Sequence, residues 1–517
     1  MPTPRAHGGA ALQQFPLNLP GFNGLNKQAR NAVIGPEWAT RLDNTVLDTS
    51  NRIAARKGWL SSTPTAIAGS FIQTTEYLYG TARQVIGVTD NNTIWVSGND
   101  GGSWTEVTGT ATVTDSNMQL VLFNNVLLGF QEGGTVVQYS GTTFTDNTAT
   151  GIAQGSVALA AFGRVWAKDG NSVVKYSALL DETDWSGTDA GTIDLTSVWQ
   201  GQDEITALAE FNGSLVIFSK RNIIIYSDGA GSKLGIDPIQ MYVADTVSGI
   251  GCIARDSIAN VKGDLWFLDD TGLHSLGRLV QQKSNPLNNL SVHVQDALKE
   301  AFDRTQLEDV RAAYSPEDRF YIISLPISAG GVEGGVVFCF DTRGFLQDGS
   351  ARCVGIWNGF VPTSLVVLDN LKMITSIRGA VGEVGTYTGF RDNGASYVFD
   401  YESGWTDLNS PVLKILKRIT GLLFVANTTN VVFKWAFDFS NRFSTATVIY
   451  PGGGSSGEWG IDEWSETEWG AGAAIEEKKA AGRGTGEYIK VGMTVQVDSD
   501  EISCQQIALY AKGGRLK

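Results

Sequence analysis

Phe123-Asn124-Asn125-Val126-Leu127-Leu128 reads as a turn followed by an apolar strand, and the chain repeats that phrase three more times. The other copies are Phe162-Gly163-Arg164-Val165-Trp166-Ala167, Phe211-Asn212-Gly213-Ser214-Leu215-Val216-Ile217-Phe218 and Val261-Lys262-Gly263-Asp264-Leu265-Trp266-Phe267-Leu268. In the first three a β-branched run ending in tyrosine follows: Val136-Val137-Gln138-Tyr139, Val173-Val174-Lys175-Tyr176 and Ile223-Ile224-Ile225-Tyr226. Openings at 123, 162, 211 and 261 are spaced 39, 49 and 50 residues apart. Periods of about 40 to 50 residues, each spent on several short strands, are the signature of propeller blades.

Composition agrees with an all-β chain. Hydrophobic residues make up 42% and aromatics 10% of 517 residues, enough for packed β layers. The 61 glycines against 13 prolines indicate many turns that need positive φ. That length exceeds one ordinary core, so a repeat domain plus a smaller domain is expected. The net charge of −15 disfavours general attraction to nucleic acid, although an acidic wall still lets DNA slide past. Cys252, Cys339, Cys353 and Cys504 form no CxxC pair, so free thiols are expected, with no metal site and no cofactor. The stretch Met1-Pro2-Thr3-Pro4-Arg5-Ala6-His7 lacks the apolar core of a signal peptide, and no run reaches a membrane span; a chain soluble when made is the expectation.

Outward from the repeats, strands are expected at Gln84-Val85-Ile86-Gly87-Val88 and Ile94-Trp95-Val96. The turn after them, Ser97-Gly98-Asn99-Asp100-Gly101-Gly102-Ser103-Trp104, resembles the Asp-box of sialidase-type propellers, with Asn99 where aspartate is usual. Counting on through Arg319 to Phe340 and Leu365 to Tyr387 gives a β-propeller of about six or seven blades over 61–400. One helical insertion is expected near 291–303, with Ser291 as its cap and Val294, Ala297, Leu298, Ala301 and Phe302 on one face. Packing on a blade explains it, a subunit contact being the alternative.

Residues 1–60 are short on strand signals and read as an N-terminal arm, whose basic centre holds Arg52, Arg56, Lys57 and Trp59. Residues 401–517 read as a smaller C-terminal β domain opening on a second basic cluster, Lys414, Lys417 and Arg418. Both clusters interrupt an acidic chain, so each reads as solvated surface or as a contact for an acidic partner or a DNA phosphate. A loop over 455–470 carries Trp459, Trp464 and Trp469 at five-residue spacing among acids. Five fits neither regular period, so these tryptophans read as interface anchors.

Catalytic signals are weak. His274 and His293 are expected to be structural, and Asp181-Glu182 with Asp184, or Asp269-Asp270, read as acidic turns rather than glycoside or calcium chemistry. The run Gly482-Arg483-Gly484-Thr485-Gly486 lacks the flanking strand and helix of a phosphate cradle and reads as a loop.

Three places carry a family likeness. They are Gly21-Phe22-Asn23-Gly24-Leu25-Asn26 with Arg41-Leu42-Asp43-Asn44 and the 52–58 segment; the helix before Val310-Arg311-Ala312-Ala313-Tyr314 with Arg319-Phe320-Tyr321; and Trp405 to Ile419, the tryptophan repeat and Ile502 to Tyr510. Together they resemble the tail nozzle or hub proteins of short-tailed (podovirus) bacteriophages, including those described as stabilising packaged DNA. The resemblance implies a structural protein, not an enzyme: a homohexameric ring, made in the host cytoplasm and attached in the virion tail below the adaptor. Its channel would hold and release double-stranded DNA, while arm and C-terminal domain dock adaptor and fibre or needle proteins. A sialidase-like propeller glycosidase acting on host polysaccharide and a receptor-binding adhesin are the competing readings.

Overall fold

The computed structural model describes residues 12–18, 22–28, 34–35, 37–62, 67–80, 82–199, 203–228, 237–281, 289–301, 303–329, 332–408, 412–452, 474–498 and 500–513. The four repeated phrases are tight two-residue hairpins. Phe123 pairs with Val126, Ala161 with Arg164, Phe211 with Ser214 and Val261 with Asp264, leaving two residues to turn in each case. Both turn residues have positive φ every time: Asn124 and Asn125, Phe162 and Gly163, Asn212 and Gly213, Lys262 and Gly263. That left-handed pair matches the twist of antiparallel strands. Phe162 therefore occupies the turn itself, one place out of register with Phe123 and Phe211, which close their turns.

Six sheets stand as separate blades. The first five are 71–106, 119–147, 158–194, 205–248 and the three-stranded 259–275; the closing blade comprises Pro362–Val367, Met373–Ile377, Val384–Tyr387 and Trp59–Ser61. Between the fifth and the closing blade, a further sector is filled by Arg311–Ser315, Phe320–Ala329, Val332–Phe345 and Ala351–Trp357, which begin a ten-stranded sheet. The innermost strand of the closing blade packs against Phe71–Tyr79 of the first, which closes the circle.

Trp59–Ser61 is the outermost strand of the closing blade, pairing Trp59 with Tyr387. A strand from early in the chain thus locks a blade built mostly from residues 300 positions later. This corrects the N-terminal arm: Trp38–Asp43, Thr45–Leu47 and Ile53–Ala55 are likewise built into sheets.

Those strands join the C-terminal segments in a sandwich. One layer contains Ala474–Ala481, Lys414–Val425, Ile502–Gly513, Ile53–Ala55 and Thr45–Leu47, with Leu12–Asn18 also beside Ile502–Gly513. The other contains Trp38–Asp43, Tyr397–Ser403, Ile489–Val497, Thr429–Phe437 and Ser444–Tyr450. The layers meet closely at Gly421, where the Tyr450 hydroxyl donates to the Gly421 carbonyl at 2.9 Å and a Cβ would stand 2.4 Å from the Phe433 ring. The C-terminal domain is therefore completed by residues from the N-terminal region, and the propeller is inserted between its halves.

The helical insertion is a 3-10 turn, Val292–Val294, running into the α-helix Gln295–Ala301. Val294, Leu298 and Ala301 are buried in the main core, so the helix packs on the adjoining sheets. Ser291 does not cap it. Its hydroxyl instead accepts from the Leu273 amide and bonds Asn289, tying the segment to the fifth blade.

The Asp-box-like turn forms as expected. Asn99 Oδ1 accepts from Ser97 Oγ at 3.0 Å and from the Ser103 amide at 2.8 Å, while Trp104 is buried beneath. Asp100 then bonds Arg83 at 2.6 Å and Asn370 at 2.9 Å, fastening the first blade to the closing one. The motif serves the fold.

Candidate functional site

The basic segment 52–58 crosses from the sandwich strand Ile53–Ala55 to the blade strand Trp59–Ser61. Arg56 is fully buried at this crossing. Its guanidinium holds both oxygens of Asp392, at 2.8 and 2.6 Å, and donates to Asn44 at 3.0 Å and to the Lys57 carbonyl at 2.9 Å. It lies 4.2 Å over the Tyr397 ring, whose hydroxyl donates to the Arg56 carbonyl. Bidentate pairing with every remaining donor used is the geometry in which a buried arginine is tolerated.

Its neighbours are also engaged. Arg52 pairs with Asp48 at 2.6 Å and covers Phe424, Lys57 reaches Asp318 at 2.8 Å, and Trp59 is buried. The four residues expected to greet a partner instead weld two parts of one chain. Beside them lies a groove of about 340 Å³ lined by Asp48, Lys57, Asp318, Arg343 and Glu501. Burial, then Asp48, raises the Glu501 carboxyl, against Arg52 and Lys57.

Gly58 shows how close the crossing is. A Cβ there would stand 2.0 Å from the Arg391 carbonyl oxygen. Backbone cannot retreat as a flexible side chain can, so Gly58→Ala is expected to cost about 1–3 kcal/mol. Chemical denaturation checks this, and an unchanged midpoint would show that the crossing has slack.

The second basic cluster divides. Lys414 is buried, its ammonium bonded to the Glu487 carbonyl at 2.7 Å and the Val412 carbonyl at 3.1 Å, and burial lowers its pKa against the pull of Asp407, Glu487 and Asp438. It is structural, contrary to the sequence reading. Lys417 is exposed, and Arg418 lies 3.9 Å over the Tyr510 ring. Trp459, Trp464 and Trp469 lie outside the described residues.

A charged constellation at the propeller centre is one that sequence reasoning passed over. At the centre of the propeller Arg255 chelates Asp256 at 2.8 and 2.9 Å and donates to the carbonyls of Asn117 and Ser156. Arg311 approaches Asp256 at 3.2 Å and donates to the Ile72 carbonyl at 3.0 Å and to Asn117 Oδ1 at 3.2 Å. Gln73 bridges Asn117 at 2.8 Å and Asp256 at 2.7 Å. Strands of the first blade and the shared sector, and the segments entering the second, third and fifth blades, are thereby tied across the axis. The remaining cavity, about 230 Å³, is lined by Gln73, Arg255, Asp256 and Arg311 and by Gln119, Leu208 and Leu365.

Burial pushes the Asp256 carboxyl up, but Arg255 and Arg311 more than offset this and hold it at about 2. Burial likewise lowers Arg311, with Asp256 opposing, whereas Arg255 ends above its ordinary value because Asp256 outweighs burial. The charges are consumed in holding one another. A signal was present: Asn117, Ser156 and the Arg255-Asp256 pair each stand just ahead of an innermost strand, and Arg311 begins one.

The histidines and acidic turns also sit in structural settings. His274 is buried against Phe267, bonded to Thr271 at 2.8 Å; burial lowers its pKa, with Asp269 opposing. His293 bonds Asp348 at 2.7 Å. Asp269 accepts from Gly251 and Thr271, Asp270 pairs with Arg304, and Asp181 and Asp184 accept from the amides of their own turns. The glycine-rich loop packs under Trp435, whose indole donates to the Arg483 carbonyl at 2.7 Å. No cluster of three or more metal-ligating side chains occurs among the described residues.

No family model matches the chain, and no curated protein does. Solved propellers are similar only at a distance. The β-propeller domain of Cps50 (Swd1) from Myceliophteria thermophila is 11% identical with a TM-score of 0.38, over 63% of this chain and 98% of that one. BamB from Moraxella catarrhalis is 10% identical with a TM-score of 0.33, over 65% and 90%. An exo-β-1,3-galactanase from Phanerochaete chrysosporium is 12% identical with a TM-score of 0.28, over 88% and 100%. Likeness at this level carries no argument about function, and the propeller assignment stands on the blades themselves.

Proposed function

We propose that this protein is a structural part of the tail of a short-tailed bacteriophage, a nozzle whose copies assemble as a hexameric ring below the adaptor and conduct packaged DNA. The self-satisfied lattice at the propeller centre carries the reading beyond sequence resemblance. An enzyme on this fold needs free groups at the propeller centre, and a single-chain conduit needs an open axis. Here the central arginines, carboxylate and amides satisfy one another instead. Such a chain suits a load-bearing scaffold, with DNA passing between copies rather than through one.

The weld at Arg56 supports the same role, because a propeller pinned to its sandwich transmits force as one body. Fibre or needle proteins and the adaptor are the proposed partners. The test is co-sedimentation of the purified protein with an adaptor ring from a short-tailed phage. Stoichiometric binding is expected; no binding, together with hydrolysis of a host polysaccharide, would replace the nozzle by the glycosidase reading.

A further inference from the structure

Charge is divided sharply between the two parts of the molecule. Residues 62–396, the propeller, hold 20 Lys and Arg against 36 Asp and Glu, a net −16. The remaining residues hold 19 against 18, and five of those acids (Glu458, Asp462, Glu463, Glu466 and Glu468) fall in 453–473. Four of the bases, Arg5, Arg30, Arg515 and Lys517, also lie outside the described residues, so the sandwich is close to neutral, 15 against 13, while the propeller is strongly acidic.

The basic charge gathers on one face. In the sandwich layer holding Lys414–Val425, Arg418 pairs with Ala481 and Tyr510, Thr420 pairs with Lys479, and Ile415 pairs with Lys512. Side chains alternate across a sheet, so Arg418, Lys479, Tyr510 and Lys512 share the face opposite the core residues Ile419, Leu423, Ile507 and Leu509. Leu12 and Ile475 flank them, 45% and 56% exposed. Arg418, Lys479 and Lys512 have no hydrogen bond or ion pair among the described residues, and Arg418 Nε is buried without a partner. The Arg418 guanidinium rests on the Tyr510 ring on this face.

A matching surface lies on the third blade. From Tyr176 to Trp199 the chain carries Asp181, Glu182, Asp184, Asp189 and Asp194 and no Lys or Arg. None of the five forms an ion pair among the described residues. Leu179 and Leu180 stand beside the first three of them, 40% and 55% exposed, while Asp194 lies at the other end of the strand Gly191–Asp194. Each surface thus combines charge predominantly of one sign, Glu477 being the one acid beside Lys479 on the sandwich face among the described residues, with exposed aliphatic side chains.

We infer that the basic sandwich face of one copy docks on the acidic third-blade surface of the next, giving the head-to-tail interface that closes the ring. This rests on the ring reading and specifies its contact. Two different surfaces meeting head to tail generate a ring when the rotation closes. The opposed charges steer encounter and fix orientation, and the leucines and isoleucine supply dry contact area.

Charge reversal tests it. One variant carries Arg418→Glu with Lys479→Glu, and a second carries Asp181→Lys with Asp189→Lys; thermal unfolding confirms that both fold. Each variant alone is expected to associate about tenfold or more weakly than wild type in sedimentation. An equimolar mixture should regain rings, because in alternation each reversed face meets a reversed partner. If the wild type forms rings and both variants do so as readily, the interface lies elsewhere and this inference fails while the ring stands. A wild type that stays monomeric, alone and with adaptor, overturns the ring reading and this contact with it.

Discussion

Arg56→Met is expected to cost about 3–5 kcal/mol, because it leaves Asp392 facing a buried cavity without its cation. The guanidinium also holds Asn44 and the Lys57 carbonyl, so their partners vanish together. Damage should begin where the segment crosses from sandwich to blade. In a denaturant titration the first transition should move to lower concentration, with the closing blade and the strand Ile53–Ala55 exchanging amide protons early. Replacing both residues, as Arg56→Met with Asp392→Leu, should recover part of the loss, since two apolar groups leave no buried charge. A single-variant loss below about 1 kcal/mol would show that the pair does not hold the junction.

Asp256→Asn is the second large effect. It strips the negative charge from between Arg255 and Arg311, which would then repel each other at the propeller centre. The expected cost is again about 3–5 kcal/mol. The same residue governs acid stability. Its carboxyl is held at about 2 in the folded chain against an ordinary value of 3.8, so its contribution is complete above pH 3.8 and is lost as pH falls through 2. That difference is of order 2 kcal/mol. Wild-type stability should therefore fall between pH 4 and pH 2 more steeply than that of Asp256→Asn. Parallel curves would mean that the central lattice does not hold the carboxyl down.

What the sequence made legible was the local grammar. Asn124-Asn125 and Asn212-Gly213 announce their turns because few other residues accept two positive φ angles in succession, and each turn fixes the register of the strands beside it. The propeller follows from such signals repeated. The arm was misread for a physical reason: Ile53–Ala55 and Trp59–Ser61 are three-residue strands, too short for a periodic pattern, and both are held by residues more than 300 positions away. Arg56 looked like a surface cation because its partner Asp392 is 336 residues distant. Basic residues in an acidic chain do seek carboxylates, and here the carboxylate is the chain's own.

The central lattice was harder to see for the same reason. Arg255, Asp256, Arg311, Asn117 and Gln73 come from separated positions, and only closure of the propeller brings them together. Among the described residues of the proposed contact set Lys417 is exposed, at a register shift between Leu416 and Arg418, while Lys414 turns inward.

The most direct test of the nozzle account is the mass of the purified protein in solution, alone and with adaptor, followed by negative-stain imaging of the largest species. The account requires sixfold rings with a central opening wide enough for duplex DNA and with the propeller bores closed. A persistent monomer in both conditions, or an assembly with no central opening, would contradict it.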